Sequence, residues 1–393
     1  MKRLFIIGAS VLQLPAIRRA KELGFYVGVA DYNPHAVGVP YADEYYNVST
    51  IDEEGVYKAA KEFGADGIMT LATDMPMRSV AYACEKLGLV GISYDTAVKA
   101  TDKGEMIKAF EAHGVEHPWY FIVEDRNALY IIKDRISYPC ISKPIDNSGS
   151  RGVMLIHTSE ELEEAVRYSS ENGRRGGVII EEYLTGQEVS VEVMTISGKV
   201  YVLQVTDKLT TGAPHFVEMG HTQPSRLAQK DVEAIKDLAV RAVNAVGIEN
   251  GPAHVEIMNT AKGPRMIELG ARMGGDCITT HLVPLSTGIN MIDATIFSAL
   301  GNKPQIEKSF DKGAAIRYFD VPSGVIEHIK GAEDAKKVEG VIEVTFTKGA
   351  GDATGQIGSS GDRVGYVIAQ SSTANDAVRI CEEAMRMVDI TVQ

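Results

Sequence analysis

The sequence predicts an α/β and α+β protein of several domains, with a parallel sheet near the N-terminus and mixed units after it. The 393 residues suffice for two to four domains at roughly 100–200 residues each. Apolar residues make up 45% and charged residues 24%, which is typical of a globular protein. Strand-like and helix-like segments alternate over the first part of the chain, and this alternation predicts βαβ units.

Composition also limits the partners and the compartment. With 53 acidic and 40 basic residues, the net charge of −13 repels phosphate backbones, so we expect no nucleic-acid partner. No apolar stretch approaches the roughly 20 residues of a membrane span, and the apolar start is interpreted as a strand, not a signal peptide. The four cysteines form no C-x-x-C pair, which indicates free thiols. We therefore expect a cytoplasmic protein without a membrane partner.

The first predicted domain, 1–100, is Rossmann-like. Its strands are predicted at 3–7, 26–31, 45–48, 67–71 and 89–92. Glycines at 24 and 64 end the intervening helices. A dinucleotide site needs G-x-G-x-x-G after the first strand, and here only Gly8 is present. Although Asp31 stands where a ribose-binding acid would, a dehydrogenase is the disfavoured alternative.

The second predicted domain, 101–310, opens with a helix capped by Thr101. It continues with strands at 139–143, 178–183, 188–196, 252–258 and 265–269, and with an amphipathic helix at 229–247. The third predicted domain, 311–393, is a small α+β unit with strands at 314–319, 341–346 and 363–369 and a final helix at 374–388.

A lysine and a flexible loop form the first candidate site. Lys143 ends a predicted strand, and small polar residues follow it at 146–152. A fixed positive charge beside backbone N–H groups that can wrap oxygens is what a polyphosphate requires. No Walker triplet G-K-[ST] occurs in the chain. The alternative is a β-hairpin with a solvated lysine.

Two acidic groups form further candidates. The stretch from Glu181 to Glu188 follows an apolar strand and could offer backbone groups to adenine and a carboxylate to ribose, or could be a plain strand edge.

Glu256 and Glu268 lie on adjacent strands joined by a short turn, so both side chains should share one face. Unpaired carboxylates side by side repel each other unless a cation neutralises them, which favours a divalent metal. Arg272 follows and can hold an oxyanion.

In this order, these motifs resemble the ATP-grasp superfamily, including biotin carboxylase-like and purine-synthesis ligases, and the resemblance covers essentially the whole chain. It implies ATP and Mg²⁺, or Mn²⁺, as cofactors. For the phosphates, it implies binding by Lys103 and Lys143 and a mobile loop with Asn147, Ser148, Gly149, Ser150 and Gly152. For the nucleoside, it implies an adenine hinge of Glu181, Glu182 and Leu184, adenine packing by Met258 and Ile267, and ribose binding by Glu188. It also implies metal binding by Glu256 and Glu268 and an acyl-phosphate contact by Arg272. Many members have asparagine where this chain has Gly270, which puts a second metal in question.

A narrower resemblance covers 216–224 and 263–268, which look like the branch containing L-amino-acid ligases, near carbamoyl-phosphate synthase-like and phosphoribosylglycinamide synthetase-like proteins. It implies that Glu218 and His221 contact the substrate. The alternative for His221 is a loop histidine bonded to backbone.

These resemblances imply an ADP-forming carboxylate–amine ligase that acts through an acyl phosphate on small carboxylate and amine substrates, with a homodimer as a frequent state of related ligases. Two alternatives remain open: a purine-pathway ligase of the phosphoribosylglycinamide synthetase type, and a non-catalytic ATP-binding protein.

Overall fold

The first sheet is parallel and four-stranded. The computed structural model describes residues 1–147, 149 and 151–393, and only the backbone of Arg126. The strand order is β3-β2-β1-β4. The elements are β1 (Arg3–Ile7), α1 (Leu14–Glu22), β2 (Tyr26–Asp31), β3 (Glu44–Asn47), α2 (Glu53–Phe63), β4 (Gly67–Met69) and α3 (Met77–Leu87). The four apolar residues of β1 are fully buried beneath the helices. The predicted fold class is confirmed.

The strand predicted at 89–92 does not form. Gly88 adopts a left-handed conformation with φ of 65° and ends α3. The Leu89 amide then donates to the carbonyl of Cys84 in the last turn of α3. Because this helix-ending arrangement uses the backbone of the segment, the chain cannot pair with the sheet there.

Hydrogen bonds to side chains fix the turn at Gly8. The Ala9 amide donates to Asp31 at 2.8 Å, and the Gln13 amide donates to the Leu71 carbonyl at 2.8 Å. A Cβ at Gly8 would lie 2.8 Å from Gln13 Oε1. The loop therefore has a structural role at the end of β1. A dinucleotide-binding loop would need backbone amides that phosphates can reach.

Two consecutive helices, α4 (Tyr94–Thr101) and α5 (Lys103–Ala112), lead into the central region. Thr101 was predicted to cap the second helix, and this is wrong. Thr101 ends α4, and its hydroxyl donates back to the carbonyl of Ala97 at 2.7 Å. Asp102 is the cap, because its carboxylate accepts from the amides of Gly104 and Glu105.

A small antiparallel sheet follows, with strand order β5-β8-β6-β7. We call it the lid sheet. Its elements are β5 (Tyr120–Val123), α6 (Arg126–Ile132), β6 (Cys140–Pro144), β7 (Met154–Ile156), α7 (Leu162–Glu171) and β8 (Val178–Glu182).

The largest sheet has eight strands in the order β13-β12-β9-β10-β11-β14-β18-β16. Sequence patterns missed β10 and β11 within it. The strands and the helices packed around them are β9 (Gln187–Ile196), β10 (Lys199–Thr210), β11 (Glu218–Gln223), α8 (Gln229–Val246), β12 (Gly251–Thr260), β13 (Gly263–Gly270), α9 (Val283–Thr287), α10 (Met291–Ala299), β14 (Gly313–Tyr318), α11 (Ala332–Ala335), β16 (Val341–Phe346), β18 (Gly365–Ser371) and α12 (Ala374–Arg386). A short π-helix, Ile278–Leu282, precedes α9.

The predicted boundary at 311 falls within a continuous sheet, since β14 pairs with β11 through His221 and Ile316. The apolar face of α8 packs on this sheet with Ile235, Leu238, Ala239 and Ala242 fully buried. A three-stranded sheet at the C-terminal end has the order β17-β15-β19, formed by β15 (Gly324–Lys330), β17 (Ala353–Thr354) and β19 (Asp389–Val392).

Across the described part of the chain, no single helix has the length and apolar character of a membrane span, although the bent pair Ile278–Thr287 and Met291–Ala299 passes on length and composition when taken together.

Candidate active site

A cavity of about 160 Å³ lies between the lid sheet and the large sheet. We call it the inter-sheet cavity. Most of the predicted site residues line it: Lys103, Lys143, Asn147, Gly149, Glu181, Glu182, Leu184, Glu188, Glu218, Glu256, Met258, Ile267 and Glu268. Gly152 and His221 lie outside its lining, Arg272 lies in a neighbouring cavity, and Ser148 and Ser150 fall outside the described residues.

The two predicted metal ligands face each other across the β12–β13 hairpin. Glu256 is the direct antiparallel partner of Glu268, so both carboxylates are on one face of the sheet. The register shifts immediately after Glu256, and Ile257 pairs with Met266. This β-bulge leaves Ile267 as the extra residue, and Ile267 lines the cavity.

Neither carboxylate is unpaired, and the prediction that both lack a basic partner is wrong. Glu268 accepts from Lys103 Nζ at 2.9 Å. Glu256 lies 3.2 Å from Lys208 Nζ and 3.1 Å from His254 Nε2. Burial raises the pKa of Glu256, but the positive charges of Lys208 and His254 outweigh burial and hold it well below its usual range. The Glu256 carboxylate is therefore held ionised.

Lys208 is the functional side chain that sequence reasoning missed. It lies on β10 with 3% of its side chain exposed, and it contacts Glu188, Glu218 at 3.4 Å and Glu256 at 3.2 Å. Burial lowers its pKa, but the three carboxylates raise it well above the usual value. The run rich in β-branched and aromatic residues before it, Val200 to Val205, was the signal that a strand carries this lysine into the site.

His254 lies between two carboxylates beneath the metal-ligand pair. Its Nδ1 is 2.9 Å from Glu192, which is fully buried, and its Nε2 is 3.1 Å from Glu256. Burial lowers the pKa of His254, but Glu192 and Glu256 outweigh it and raise the pKa to about 9. The imidazole is therefore positively charged at neutral pH.

This raised pKa predicts a stability change with pH in the metal-free protein. The folded-state pKa of His254 is above its unfolded value, so its contribution is complete below the unfolded pKa and is lost as pH rises through about 9. We expect the free energy of unfolding to fall by up to about 3 kcal/mol over this window. Denaturant titrations of wild type and His254→Gln should show a shallower fall in the variant. Identical pH profiles would contradict a charged His254.

Lys143 is buried on β6 and pairs with Glu181 on β8 at 2.5 Å, with side-chain exposures of 7% and 9%. The strands β6 and β7 do form a hairpin, but the alternative of a solvated lysine does not hold. Lys103, at the start of α5, donates to the carbonyl of Asn147 at 2.8 Å as well as to Glu268. Both lysines thus line the inter-sheet cavity, Lys143 from the lid sheet and Lys103 from the start of helix α5.

Lys143→Ala should weaken ATP binding by about ten- to a hundred-fold, because charge-assisted hydrogen bonds contribute roughly 1.5–3 kcal/mol. It should also destabilise the metal-free fold, since Glu181 becomes an unpaired buried carboxylate. The double variant Lys143→Ala/Glu181→Gln should recover stability but not ATP affinity. Calorimetric titration and thermal melting separate the two effects, and an unchanged ATP affinity in both variants would contradict the assignment.

The other end of the inter-sheet cavity is apolar. Ile141 of the lid sheet faces Met258, Met266 and Ile267 of the β12–β13 hairpin across it. Leu184, in the segment that follows β8, also lines the cavity. Such a slot between two sheets suits a flat aromatic base.

Arg272 is held by a residue of the N-terminal region. Its guanidinium donates to both oxygens of Asp74, at 2.9 and 3.0 Å. This pair also explains Gly270, because a Cβ there would lie 2.6 Å from Asp74 Oδ1 and 3.1 Å from the Arg272 guanidinium. An asparagine at 270 would require the Asp74–Arg272 pair to shift, and sequence reasoning had no signal for Asp74.

His221 is a strand residue, not a loop histidine. It lies in β11 with 1% of its side chain exposed, and its Nε2 is 3.4 Å from Asp276. Its Nδ1 has no hydrogen-bond partner among the described residues. Arg363, close to β18, donates to both oxygens of Asp276 at 2.8 Å and to the Glu218 carbonyl at 3.0 Å. Asp276 has a φ of 50°, a strained conformation typical of functional sites.

The donor set fits a hard divalent ion that takes further ligands from a second molecule. Two facing carboxylates, Glu256 and Glu268, supply oxygen ligands of the type Mg²⁺ prefers. Among the residues that the structure describes, no group of three or more His, Cys, Asp and Glu side chains forms a complete metal site. Phosphate oxygens between Lys103 and Lys143 would complete the coordination.

Comparisons with known proteins agree with this geometry. A family model for the ATP-grasp domain matches residues 136–280, and one for the L-amino acid ligase C-terminal domain 2 matches residues 317–393. The L-amino acid ligase from Bacillus licheniformis has a similar structure, with a TM-score of 0.86 and 25% identity over 100% of this chain and 99% of that chain.

Two curated relatives are ligases. Alanine–anticapsin ligase of Bacillus subtilis is 27% identical over 68% of this chain and 61% of its own length. This chain thus spans about three fifths of that relative. Phosphoribosylamine–glycine ligase of Methanothermobacter thermautotrophicus is 27% identical over 77% of this chain and 74% of that protein.

ATP-grasp ligases use ATP with a divalent metal ion. The predicted resemblance to ATP-grasp ligases is confirmed, and so is the predicted enzyme class, a ligase that forms C–N bonds. Residues 136–280 thus match the ATP-grasp domain and residues 317–393 a C-terminal domain of the L-amino acid ligases, and the chain is similar to ATP-grasp carboxylate–amine ligases, which form C–N bonds and ADP.

Proposed function

We propose that this protein joins an amino acid, or a similar small carboxylate, to the amino group of a second amino acid. The observation that carries the proposal is the L-amino acid ligase domain at residues 317–393, which supplies Arg363 to the active site. Alanine–anticapsin ligase, whose name specifies an amino acid as a substrate, supports the same substrate class.

In the proposed reaction the substrate carboxylate attacks the γ-phosphorus of ATP and ADP leaves. The amine then attacks the acyl carbon, the C–N bond forms, and phosphate leaves with the carboxylate oxygen as the amine loses a proton. Lys143 and Lys103 hold the phosphates, and Glu188 binds the ribose. Glu181, Glu182 and Leu184 form the adenine hinge, and Met258 and Ile267 pack against the base.

Glu256 and Glu268 would hold the metal ion, which we propose is Mg²⁺, with Mn²⁺ as a substitute, and which would supply positive charge to neutralise the phosphates. Arg272 stabilises the negative charge on the acyl phosphate, while Glu218 and His221 contact the substrate beside it. Asn147, Gly149 and Gly152 belong to the phosphate loop, together with Ser148 and Ser150. A homodimer is the proposed assembly.

The phosphoribosylamine–glycine ligase relative favours one second candidate, a ligase that acts on a phosphoribosyl amine. Both candidates share the acyl-phosphate chemistry and differ in the amine. A screen of phosphate release with Mg-ATP, pairs of amino acids, and phosphoribosylamine with glycine distinguishes them.

Acyl-phosphate chemistry predicts a specific isotope transfer. Oxygen-18 in the substrate carboxylate should appear in the released phosphate, because one carboxylate oxygen stays on phosphorus when the amine attacks. The nucleotide product should be ADP, and mass spectrometry should detect a dipeptide. Formation of AMP, or phosphate without label, would contradict the mechanism. Label transfer with only a phosphoribosyl amide as product would favour the second candidate.

A further inference from the structure

A second cavity, of about 250 Å³, adjoins the first. It lies between helix α3 and the loop that follows α7. We call it the arginine cavity and define it by Asp74, Arg78, Arg174, Arg175 and Arg272. It shares Lys103, Asn147 and Glu268 with the inter-sheet cavity, so the two cavities meet at the end assigned to the γ-phosphate.

Most charges in the arginine cavity are already paired. Asp74 accepts both hydrogen bonds of Arg272, and Glu268 accepts from Lys103. Arg175 donates to Asp146 at 3.2 Å and to the helix cap Asp102 at 2.5 Å. These acids are therefore committed to basic groups, whereas Glu53, which also lines the cavity, accepts from the Tyr94 hydroxyl at 2.8 Å.

Two guanidinium groups remain without a carboxylate. Arg78 donates from Nε to the Thr101 hydroxyl at 2.7 Å, and no acidic group of the described residues forms an ion pair with it. The Arg174 side chain has no hydrogen bond or ion pair within the described part of the chain, and only its backbone amide bonds to Asp146.

Arg174 lines the cavity with much of its side chain exposed to solvent, and several charged side chains act on its guanidinium. Partial burial lowers its pKa; Asp146 raises it, but the positive charges of Arg151, Arg78 and Arg175 lower it again. Like charges gathered around a cavity, in a protein with a net charge of −13, repel each other unless an anion lies between them.

We propose that the arginine cavity binds the oxyanion of the amine substrate, with Arg78 and Arg174 as its ligands. The phosphates of ATP are assigned to Lys103 and Lys143 in the other cavity, so this anion comes from a different molecule. Arginine forms paired, directional hydrogen bonds to carboxylate and phosphate, which fixes the orientation of the bound group. The amine of that substrate then points toward the acyl carbon at the shared end.

This inference rests on the proposed function and refines it. The oxyanion is the α-carboxylate of an amino acid or the phosphate of a phosphoribosyl amine. Both sources use the same two arginines, and the kinetic arm below distinguishes them.

The first test measures binding alone. Inorganic sulfate is titrated into protein saturated with Mg²⁺ and a non-hydrolysable ATP analogue, so that the inter-sheet cavity is filled. Arg78→Gln and Arg174→Gln should each raise the dissociation constant of sulfate about tenfold or more, and Arg78→Lys should raise it less. Arg167→Gln, an exposed arginine on α7 paired with Glu164, is the matched control and should change nothing. Absence of sulfate binding to wild type, or equal binding by all variants, would overturn the proposal.

The second test measures turnover. Each glutamine variant should raise the KM for the amine substrate about ten- to a hundred-fold, with KM for ATP and kcat within about threefold of wild type. An amino-acid amide as acceptor should be poor for wild type if the anion is a carboxylate, and phosphoribosylamine should replace the amino acid if it is a phosphate. An unchanged KM in both variants would overturn the proposal. Failure of the proposed function looks different: wild type forms no ADP with any amino-acid pair, while sulfate binding and its loss in the variants persist.

Discussion

Glu268→Gln should lower turnover by about 100- to 1,000-fold, because it removes one of two carboxylates that would hold the metal at the transferring phosphoryl group. The affinity for ATP should fall by less than about tenfold, since Lys103 and Lys143 keep their contacts with the phosphates. The glutamine oxygen can still accept from Lys103, which lies 2.9 Å from Glu268, so the melting temperature should change little. A coupled assay of ADP formation and a calorimetric ATP titration measure the two quantities.

Glu171→Gln is the matched control, because Glu171 is an exposed carboxylate on α7 that pairs with Arg167 on the surface. Its turnover should equal that of wild type. If Glu268→Gln keeps more than about a tenth of wild-type turnover at saturating Mg-ATP, Glu268 is not a metal ligand.

Lys208→Met should destabilise the metal-free protein by about 3–5 kcal/mol, since removing one partner of a buried ion pair leaves uncompensated charge. Here the single ammonium group of Lys208 forms ion pairs with Glu188, Glu218 and Glu256. Added Mg²⁺ should restore part of the loss, because a divalent cation can replace the missing positive charge. The loss should also shrink as pH falls, because burial raises the pKa of Glu188 and favours its neutral form.

Lys199→Met on the same strand is the control, because Lys199 is solvent-exposed at the start of β10. Adding Glu188→Gln to Lys208→Met should recover part of the stability. Urea titrations with and without Mg²⁺ measure these effects. A Lys208→Met protein as stable as the Lys199→Met control would show that the three carboxylates do not need this lysine.

The sequence predicted the elements in which one local signal dominates. The strand at 3–7, the helix ended by Gly247 and the facing pair Glu256–Glu268 all follow from periodicity, a glycine stop or a tight turn. The strand predicted at 89–92 does not form, because the apolar segment after helix α3 takes part in the hydrogen bonds that end that helix. Strand β11 was missed because its polar residues are buried in the site, which hides the apolar alternation.

The charge partners of the site were harder to predict, for a physical reason. Asp74 and Arg272 are 198 positions apart, and Asp276 and Arg363 are 87 apart, so only the folded chain brings each pair together. Motifs identified the residues expected to touch ATP. The groups that set their charge come from distant segments and follow no local spacing.

The eight-stranded sheet has a mechanical consequence. Strands β12 and β13, with the metal-ligand pair, and strands β14, β18 and β16 from beyond residue 311 belong to one hydrogen-bonded sheet. A chain cut at residue 310 would turn β11 into an open edge strand and remove the guanidinium that holds Asp276. The lid sheet shares no strand with this framework. We therefore expect the C-terminal strands β14, β18 and β16 to stay fixed relative to the strands that carry Glu256 and Glu268, because hydrogen bonds join them in one sheet, whereas no strand pairing among the described residues ties the lid sheet to that sheet.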